Sequence, residues 1–234
     1  MEFWQFWFIV LTFFSVSIYG IVISFGIFVS ALAAEKLAKG KNANILWGGI
    51  FWTILGGILG ARTFHVIHLL PYYLANPVRI FAIWNGGLGI IGGILGGIIA
   101  VVTYLKFKKE PLVSWLNIAG VVTPLGQAIG RWGNFFNKEI VGKGGHPIFL
   151  YESILNFGLF AILYFAYKRS RPTFWLYLTG YSVIRFFLEF LRADPLSVWF
   201  IGGLNVVQVI CAGIFLVAAT VLIQERPKHP KNLL

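Results

Sequence analysis

The sequence has very little of the chemistry on which metal centres and redox enzymes depend. Its 234 residues include one cysteine, Cys211, and one aspartate, Asp194. A single cysteine excludes an internal disulfide and any paired-cysteine metal or redox motif, and a single aspartate excludes an aspartyl dyad. The four histidines are scattered, and no HExxH, GxSxG or Walker-type loop occurs. The sequence therefore predicts neither a metal site nor a cofactor.

Charged residues are also scarce, at 12% of the chain, whereas hydrophobic residues make up 58%. A soluble domain carries about 25% charged residues. The apolar residues fall in long runs, and about 20 apolar residues suffice for a helix to cross a bilayer. This composition excludes a soluble enzyme, a disordered chain and a nucleic-acid binder. It predicts an all-α polytopic membrane protein.

We expect one integral membrane domain over residues 1–234 with about seven transmembrane helices. The predicted spans are 8–33, 45–70, 79–105, 112–136, 148–167, 173–191 and 200–223. Of the 19 lysines and arginines, 12 follow spans one, three and five or lie in the tail. Positive residues favour the cytoplasmic side, so the N-terminus is predicted to lie outside and the C-terminus in the cytoplasm.

Three arginines, Arg62, Arg131 and Arg185, fall inside predicted spans. At 1.5 Å per residue they lie about 18–28 Å above the cytoplasmic ends of their spans, in the outer half of the bilayer. An arginine within the membrane costs about 2.5–3.5 kcal/mol, which makes it a candidate for function. The alternative is snorkelling to the interface or pairing with a carboxylate. Other polar residues are predicted at or near this depth: Tyr19, Asn134, Glu139, His146, Tyr151, Glu152 and Glu189.

Together these residues predict a positively biased polar cavity that opens toward the outer leaflet. Guanidinium groups bind phosphate bidentately, and asparagine amides supply directional hydrogen bonds. Such a cavity suits an anionic phospholipid. It could also stabilise the charge that develops as a phosphoester leaves.

The glycine-rich run over residues 86–97 contains the pattern GxGxxG. A dinucleotide site needs a strand, a turn and a helix around this pattern, and no such context exists in a membrane span. Close helix packing through small residues is the stronger interpretation. A broken span whose free backbone groups line a cavity is the other possibility. His65 and His68, three residues apart, could form a proton relay or face a polar interface.

Residues 126–139, with the sequence GQAIGRWGNFFNKE, and then Gly142 resemble the signature GRxGNFxNxE of the prolipoprotein diacylglyceryl transferase family. Five other segments agree in order over nearly the whole chain. They are Ile18-Tyr19-Gly20, Gly60-Ala61-Arg62, the glycine-rich Gly86-Gly87-Leu88 with Gly92-Gly93, the HPxxLYE motif over residues 146–152 and the RFxxEFxR motif over residues 185–192. Members of the family have seven spans and an outside N-terminus.

The resemblance implies transfer of the diacylglyceryl group of phosphatidylglycerol to the lipobox cysteine of a prolipoprotein, in a bacterial plasma membrane. Phosphatidylglycerol of the outer leaflet and the prolipoprotein signal peptide would be the partners, with no cofactor. The candidate catalytic residues are Arg131, Arg185, Glu139, His146 and Glu189. The candidate substrate-binding residues are Tyr19, Arg62, Asn134, Asn137, Gly142, Tyr151 and Glu152.

Two departures from the family pattern bear on mechanism. Ile91 stands where the family often has a histidine that has been proposed as the base, so Glu139, Glu152, His146 or His65 would have to accept the thiol proton. Alternatively, the field of the arginines would itself generate the thiolate. The second departure is the outer loop over residues 143–145, which is usually much longer. Both leave open a non-catalytic paralogue that binds anionic phospholipids, and a small-anion transporter is a further alternative.

Overall fold

Seven long apolar helices dominate the computed structural model, which describes residues 18–137, 142–193 and 200–224. Each of the seven is long and apolar enough to cross a membrane, which confirms the predicted all-α polytopic membrane fold. The α-helices are α1 (Ile18–Leu37), α2 (Ala43–His68), a short α3 (Leu70–Ala75), α4 (Ile90–Phe107), α5 (Leu112–Phe136), α6 (Ile148–Lys168), α7 (Thr173–Leu191) and α8 (Val206–Gln224).

Predicted and observed spans agree best where polar residues flank both ends of an apolar run. Helices α5 and α7 have the predicted bounds, and α6 ends one residue later than expected. Helix α2 lies two residues before the predicted span. The first predicted span, 8–33, falls partly outside the described residues, and α1 continues past its predicted end to Leu37.

The third predicted span, 79–105, is wrong at its start because α4 begins only at Ile90. The preceding apolar residues form two 3₁₀ turns, over Pro77–Phe81 and Ile83–Asn85. Gly86 and Gly87 follow with φ values of 80° and 74°. Residues with a side chain rarely adopt such angles, so these two glycines separate the 3₁₀ turns from the helix.

The last predicted span, 200–223, also begins too early. Residues 200–205 form a small antiparallel hairpin, with β1 at Phe200–Ile201 and β2 at Leu204–Asn205. Phe200 pairs with Asn205 in its register. Helix α8 follows directly, and the Asn205 side chain accepts a hydrogen bond of 2.8 Å from the Val207 amide in its first turn. Because this hairpin is as apolar as the start of the helix that follows, the sequence does not distinguish the two.

The chain divides into two compact units, a smaller one over residues 35–115 and a larger one over residues 1–34 and 116–234. In the smaller unit, α2 and α4 approach so closely that glycines form the contact. A Cβ atom on Gly60 would overlap the carbonyl oxygen of Gly92, and one on Gly92 would overlap that of Gly60. This confirms the prediction of helix packing through small residues.

Helices α6, α7 and α8, with most of α1 and α5, belong to the larger unit. Its fully buried side chains include Ile118, Val121, Ile148 and Leu163. Asn117 of α5 holds the start of α7, because its side-chain oxygen accepts a hydrogen bond of 3.0 Å from the Phe174 amide. This contact satisfies one of the amides that a helix N-terminus leaves without a partner.

The glycine contact predicts different effects for two substitutions one turn apart on α2. Gly60→Ala should lower the stability by about 1–3 kcal/mol, because its Cβ overlaps backbone that cannot move aside. Gly57→Ala is the matched control, since its Cβ would meet the Gly93 oxygen at an ordinary 3.5 Å. Thermal unfolding of both purified variants in detergent measures the difference, and equal stability of the two would contradict the packing.

Candidate active site

An alternating chain of guanidinium and carboxylate groups lies inside the larger unit. Arg131 of α5 contacts Glu152 of α6, with Nη2 and Oε1 at 2.5 Å. The other Glu152 oxygen lies 3.9 Å from Nη1 of Arg185 on α7. Arg185 also donates from Nη2 to Glu189 at 2.7 Å, and Glu189 lies 3.9 Å from Nε of Arg192. Within the described residues, three arginines against two glutamates leave the ion-pair chain positive.

Burial makes the pairing necessary. The side chains of Glu152, Arg185, Glu189 and Arg192 are all 6% exposed or less. A lone ion in such surroundings costs several kcal/mol, so each group needs opposite charge beside it. The side chain of Arg131 is 21% exposed. Arg131 is therefore the member of the ion-pair chain that an approaching anion can reach.

Helical spacing explains part of this arrangement. Glu189 follows Arg185 by four residues and pairs with it, as expected for one helix face. Asn134 follows Arg131 by three residues, and its side-chain oxygen accepts a hydrogen bond of 3.4 Å from Nη1. The ring of Tyr19 packs on the same helix at Gly133, where an added Cβ would lie 2.8 Å from the ring. A glycine at this position therefore provides the space for the tyrosine.

The short segment between α5 and α6 is joined to the end of α7. Gly142 forms an isolated β-bridge with Arg192, and its amide donates to the carbonyl oxygen of His146 at 3.0 Å. Any side chain on Gly142 would lie 2.6 Å from that oxygen. Nδ1 of His146 lies 3.3 Å from the Tyr151 hydroxyl, and Tyr151 precedes Glu152 in the chain. His146 is thus held beside the ion-pair chain while remaining exposed.

Arg192 lies just beyond the last residue of α7. Burial, and then the guanidinium of Arg185, lower the pKa of Arg192 from its ordinary value. The nearby carboxylates of Glu189 and Glu152 act in the opposite direction. The lowered pKa of Arg192 therefore reflects mainly its withdrawal from water, to which the neighbouring guanidinium adds.

The third intramembrane arginine, Arg62, belongs to the smaller unit and has a different environment. Its guanidinium donates to five backbone carbonyl oxygens, those of Arg79, Ile80, Ala82, Gly86 and Gly87. These acceptors exist because the backbone before α4 is not a regular helix. Arg62 therefore fastens this irregular segment. His65, one turn away, packs against Tyr73 and beside Gly87.

An apolar groove of about 520 Å³ runs along the larger unit. It lies between α1, α5 and α6, and its walls include Phe25, Ile129, Trp132 and Phe157. Ala128 and Ser153 also line it, and these residues adjoin Gln127 and Glu152 in sequence. The groove is therefore at the same level of the helices as the buried polar groups.

The larger unit thus brings together most of the residues predicted from the sequence. Arg131, Asn134, Glu152, Arg185 and Glu189 share one buried cluster, and Tyr19, Gly142, His146 and Tyr151 lie around it. Asn137 is exposed just after α5, and its amide donates to the Gly133 oxygen. Glu139 lies outside the described residues. Within the described residues, no three metal-ligating side chains lie close enough to hold an ion.

The sequence placed Arg192 between two predicted spans, whereas the structure shows that Arg192 belongs to the ion-pair chain. Sequence reasoning also missed a second group of polar side chains deeper in the larger unit, Gln127, Asn156, Tyr177 and Tyr181. Helical spacing carried a signal for two of them. Gln127 precedes Arg131 by four residues, and Asn156 follows Glu152 by four, so each lies on the face of a site residue.

Comparison with known proteins identifies the family of this chain. Residues 7–224 match the family model described as prolipoprotein diacylglyceryl transferase. The chain belongs to this family. A phosphatidylglycerol–prolipoprotein diacylglyceryl transferase from Symbiobacterium thermophilum is 38% identical over 227 aligned positions, which cover 85% of this chain and 84% of the relative. Relatives of the same name from Staphylococcus aureus strains MSSA476 and MW2 are 36% identical over 247 positions, covering 92% and 87%.

Family membership confirms the resemblance drawn from the motifs. Each alignment is longer than the part of this chain that it covers, so these relatives carry residues that this chain lacks. The family match over residues 7–224 includes all seven long helices of this chain. The protein is therefore a multi-pass membrane member of the family.

The ion-pair chain predicts a large effect on stability when one carboxylate is neutralised. Glu152→Gln should destabilise the protein by about 3–5 kcal/mol, because Arg131 and Arg185 would lose their shared counter-charge in a buried site. Glu35→Gln serves as the control, since this exposed carboxylate makes a hydrogen bond of 3.4 Å to Trp47 and should change stability by less than about 0.5 kcal/mol. Thermal unfolding of both variants in detergent measures the difference, and similar unfolding temperatures would show that the pairing contributes little to stability.

Proposed function

We propose that the protein transfers the diacylglyceryl group of phosphatidylglycerol to the lipobox cysteine thiol of a prolipoprotein. The thiol sulfur forms a bond to the glyceryl carbon, and the bond from that carbon to the phosphate oxygen breaks. The products are a thioether and glycerol phosphate, and the thiol proton passes to a base. The phosphodiester carries one negative charge and the departing phosphate monoester gains a second. Negative charge therefore develops on the phosphate during the reaction.

The observation that carries this proposal is the partly exposed Arg131 at the end of a buried, net positive ion-pair chain. A guanidinium held in place before the reaction stabilises developing phosphate charge without reorganisation. Arg185 offers a second donor, because its Nη1 makes no hydrogen bond within the described residues. Asn134, bonded to Arg131, orients the first guanidinium.

The surroundings of the site suit a lipid substrate. In the orientation that the lysines and arginines predict, the end of α5 and the start of α6 face outward, so Arg131 lies at the depth of outer-leaflet headgroups in a bacterial plasma membrane. The apolar groove beside α5 and α6 would accept an acyl chain. The names of the relatives describe the same lipid and the same protein substrate.

His146 is the base that the geometry favours. It is exposed, it is held next to Arg192 through Gly142, and Nδ1 lies 3.3 Å from the Tyr151 hydroxyl. With Nδ1 donating to that hydroxyl, Nε2 is left to accept the thiol proton. Glu152 is fully buried against Arg131, and Ile91 has no titratable group. The thiolate then attacks beside a cationic field that favours it.

Arg131→Ala should reduce turnover by about 100- to 1000-fold, because the developing phosphate charge would lose its accessible donor. Arg131→Lys should retain part of the activity, because lysine keeps the positive charge but lacks the planar set of donors that binds phosphate bidentately. The assay mixes purified protein with phosphatidylglycerol and a lipobox peptide. It follows the mass gain of the peptide and the release of glycerol phosphate in equal amounts.

Arg169→Ala is the matched control, because this exposed arginine follows the opposite end of α6 from Glu152. It should keep full activity. Full activity of Arg131→Ala would contradict the role given to the ion-pair chain. Lipid binding by the wild-type protein without any thioether product would instead support the non-catalytic lipid-binding alternative.

The role of His146 predicts a loss that depends on pH. His146→Ala should lower turnover by about 100-fold near pH 6.5. The loss should shrink toward pH 8.5–9, because the substrate thiol then ionises without a base. Rate profiles from pH 6 to pH 9 measure this effect, and His68→Ala, an exposed histidine stacked on Phe64, is the control. A loss of constant size across the range would show that His146 only supports the structure.

A further inference from the structure

A second layer of polar side chains lies deeper in the larger unit than the ion-pair chain, and part of it has no partner. Asn156 of α6 is fully buried. Neither its Nδ2 nor its Oδ1 makes a hydrogen bond within the described residues. The side-chain oxygen of Gln127 on α5 is likewise buried and unpaired, although its nitrogen donates to the Tyr177 hydroxyl at 2.9 Å.

Two other amide side chains in this unit, those of Gln208 and Asn117, make hydrogen bonds, in contrast to Asn156. Gln208 is also buried, and it accepts from the Asn205 amide and donates to the Phe186 carbonyl oxygen. Asn117 accepts from the Phe174 amide. Buried polar groups in folded proteins are nearly always hydrogen-bonded, and an exception calls for a ligand, a water or a functional role.

The position of Asn156 is fixed relative to the ion-pair chain. It follows Glu152 by four residues on α6, so it lies on the same face and about 6 Å further along the helix. Gln127 precedes Arg131 by four residues on α5. It therefore lies one helical turn further than Arg131 from the segment that joins α5 to α6, as Asn156 does relative to Glu152. Ser153 donates to the Ala128 carbonyl oxygen at 2.8 Å, which sets the two helices at matching levels.

A diacyl phospholipid has a hydrogen-bond acceptor at a matching distance from its phosphate. The path from phosphorus to the nearest ester carbonyl carbon runs through five bonds, which span about 6 Å when extended. A phosphate held at Arg131 would therefore bring an ester carbonyl to the level of Asn156. The free Nδ2 of Asn156 is a donor, and a carbonyl oxygen is the acceptor that it lacks.

We infer that Asn156 is a positioning residue that donates a hydrogen bond to an ester carbonyl of the bound diacylglyceryl group. This inference rests on the proposed function. When the lipid is held at its phosphate and at one ester, the glyceryl carbon between these two groups has a fixed orientation toward the incoming thiol. Gln127, whose oxygen is also unpaired, lies at the same level and can accept a hydrogen bond from a water beside the ester.

The test compares two lipids in the full-length protein, a diester phosphatidylglycerol and its diether analogue, which lacks both carbonyls. The wild type should use the diester with a kcat/KM about tenfold higher or more, because the diether leaves the buried amide unpaired. Asn156→Leu should lose this preference and use both lipids at the lower rate. It should also keep or raise the thermal unfolding temperature, since it removes an unpaired buried amide.

Asn117→Leu is the matched control within the same unit. It removes an amide oxygen that accepts a hydrogen bond from the Phe174 amide, so it should lower the unfolding temperature while keeping the preference for the diester. Equal use of both lipids by the wild type would overturn the inference, and so would a preference that survives in Asn156→Leu. A wild type that transfers from neither lipid would instead overturn the proposed function. The two failures are therefore distinguishable.

Discussion

A guanidinium group that is withdrawn from water must be surrounded by negative charge or by hydrogen-bond acceptors, and this requirement organises both units of the protein. In the larger unit the compensation is ionic, through Glu152 and Glu189. It stops short of neutrality, because three arginines share two carboxylates within the described residues. The pairing offsets the cost of burying these charges, and the surplus of arginines is the feature on which the proposed phosphate binding rests.

The smaller unit meets the same requirement with backbone instead of carboxylates. Arg62 is only 8% exposed, and five carbonyl oxygens accept its hydrogen bonds. A regular helix would have used these oxygens internally, so the irregular segment before α4 and the arginine depend on each other. The glycine contact between α2 and α4 adds a second constraint, because it fixes the end of α4 from which this segment departs.

Apolar content and spacing predicted much of this architecture, and the failures have identifiable physical reasons. Helices α5 and α7 were predicted to the residue because polar residues bound them. The start of α4 was missed because an apolar segment with broken backbone has the same composition as a helix. Pairing of Arg185 with Glu189 follows from one helix face. Contact between Arg131 and Glu152 joins two helices, and no spacing rule along the chain reveals it.

The deeper polar layer was missed for a related reason. The sequence does not show whether a single asparagine in an apolar run is buried, and the burial of Asn156 is known only from the structure. For Arg62, the motif resemblance predicted a substrate contact, whereas its observed partners are backbone carbonyls that a sequence motif does not encode. Composition thus identified the residues that carry charge, and the three-dimensional contacts showed which of them share a site.

The β-bridge between Gly142 and Arg192 has a consequence for how the family can diversify. It clamps the base of the loop between α5 and α6, and the Gly142 amide closes that base onto the His146 carbonyl. Gly144 at the tip has a φ of 65°, and residues 143–145 are exposed. Chain inserted at this tip would leave the clamp unchanged. Evolution can therefore lengthen or shorten the chain at this tip as an independent part, without altering the ion-pair chain.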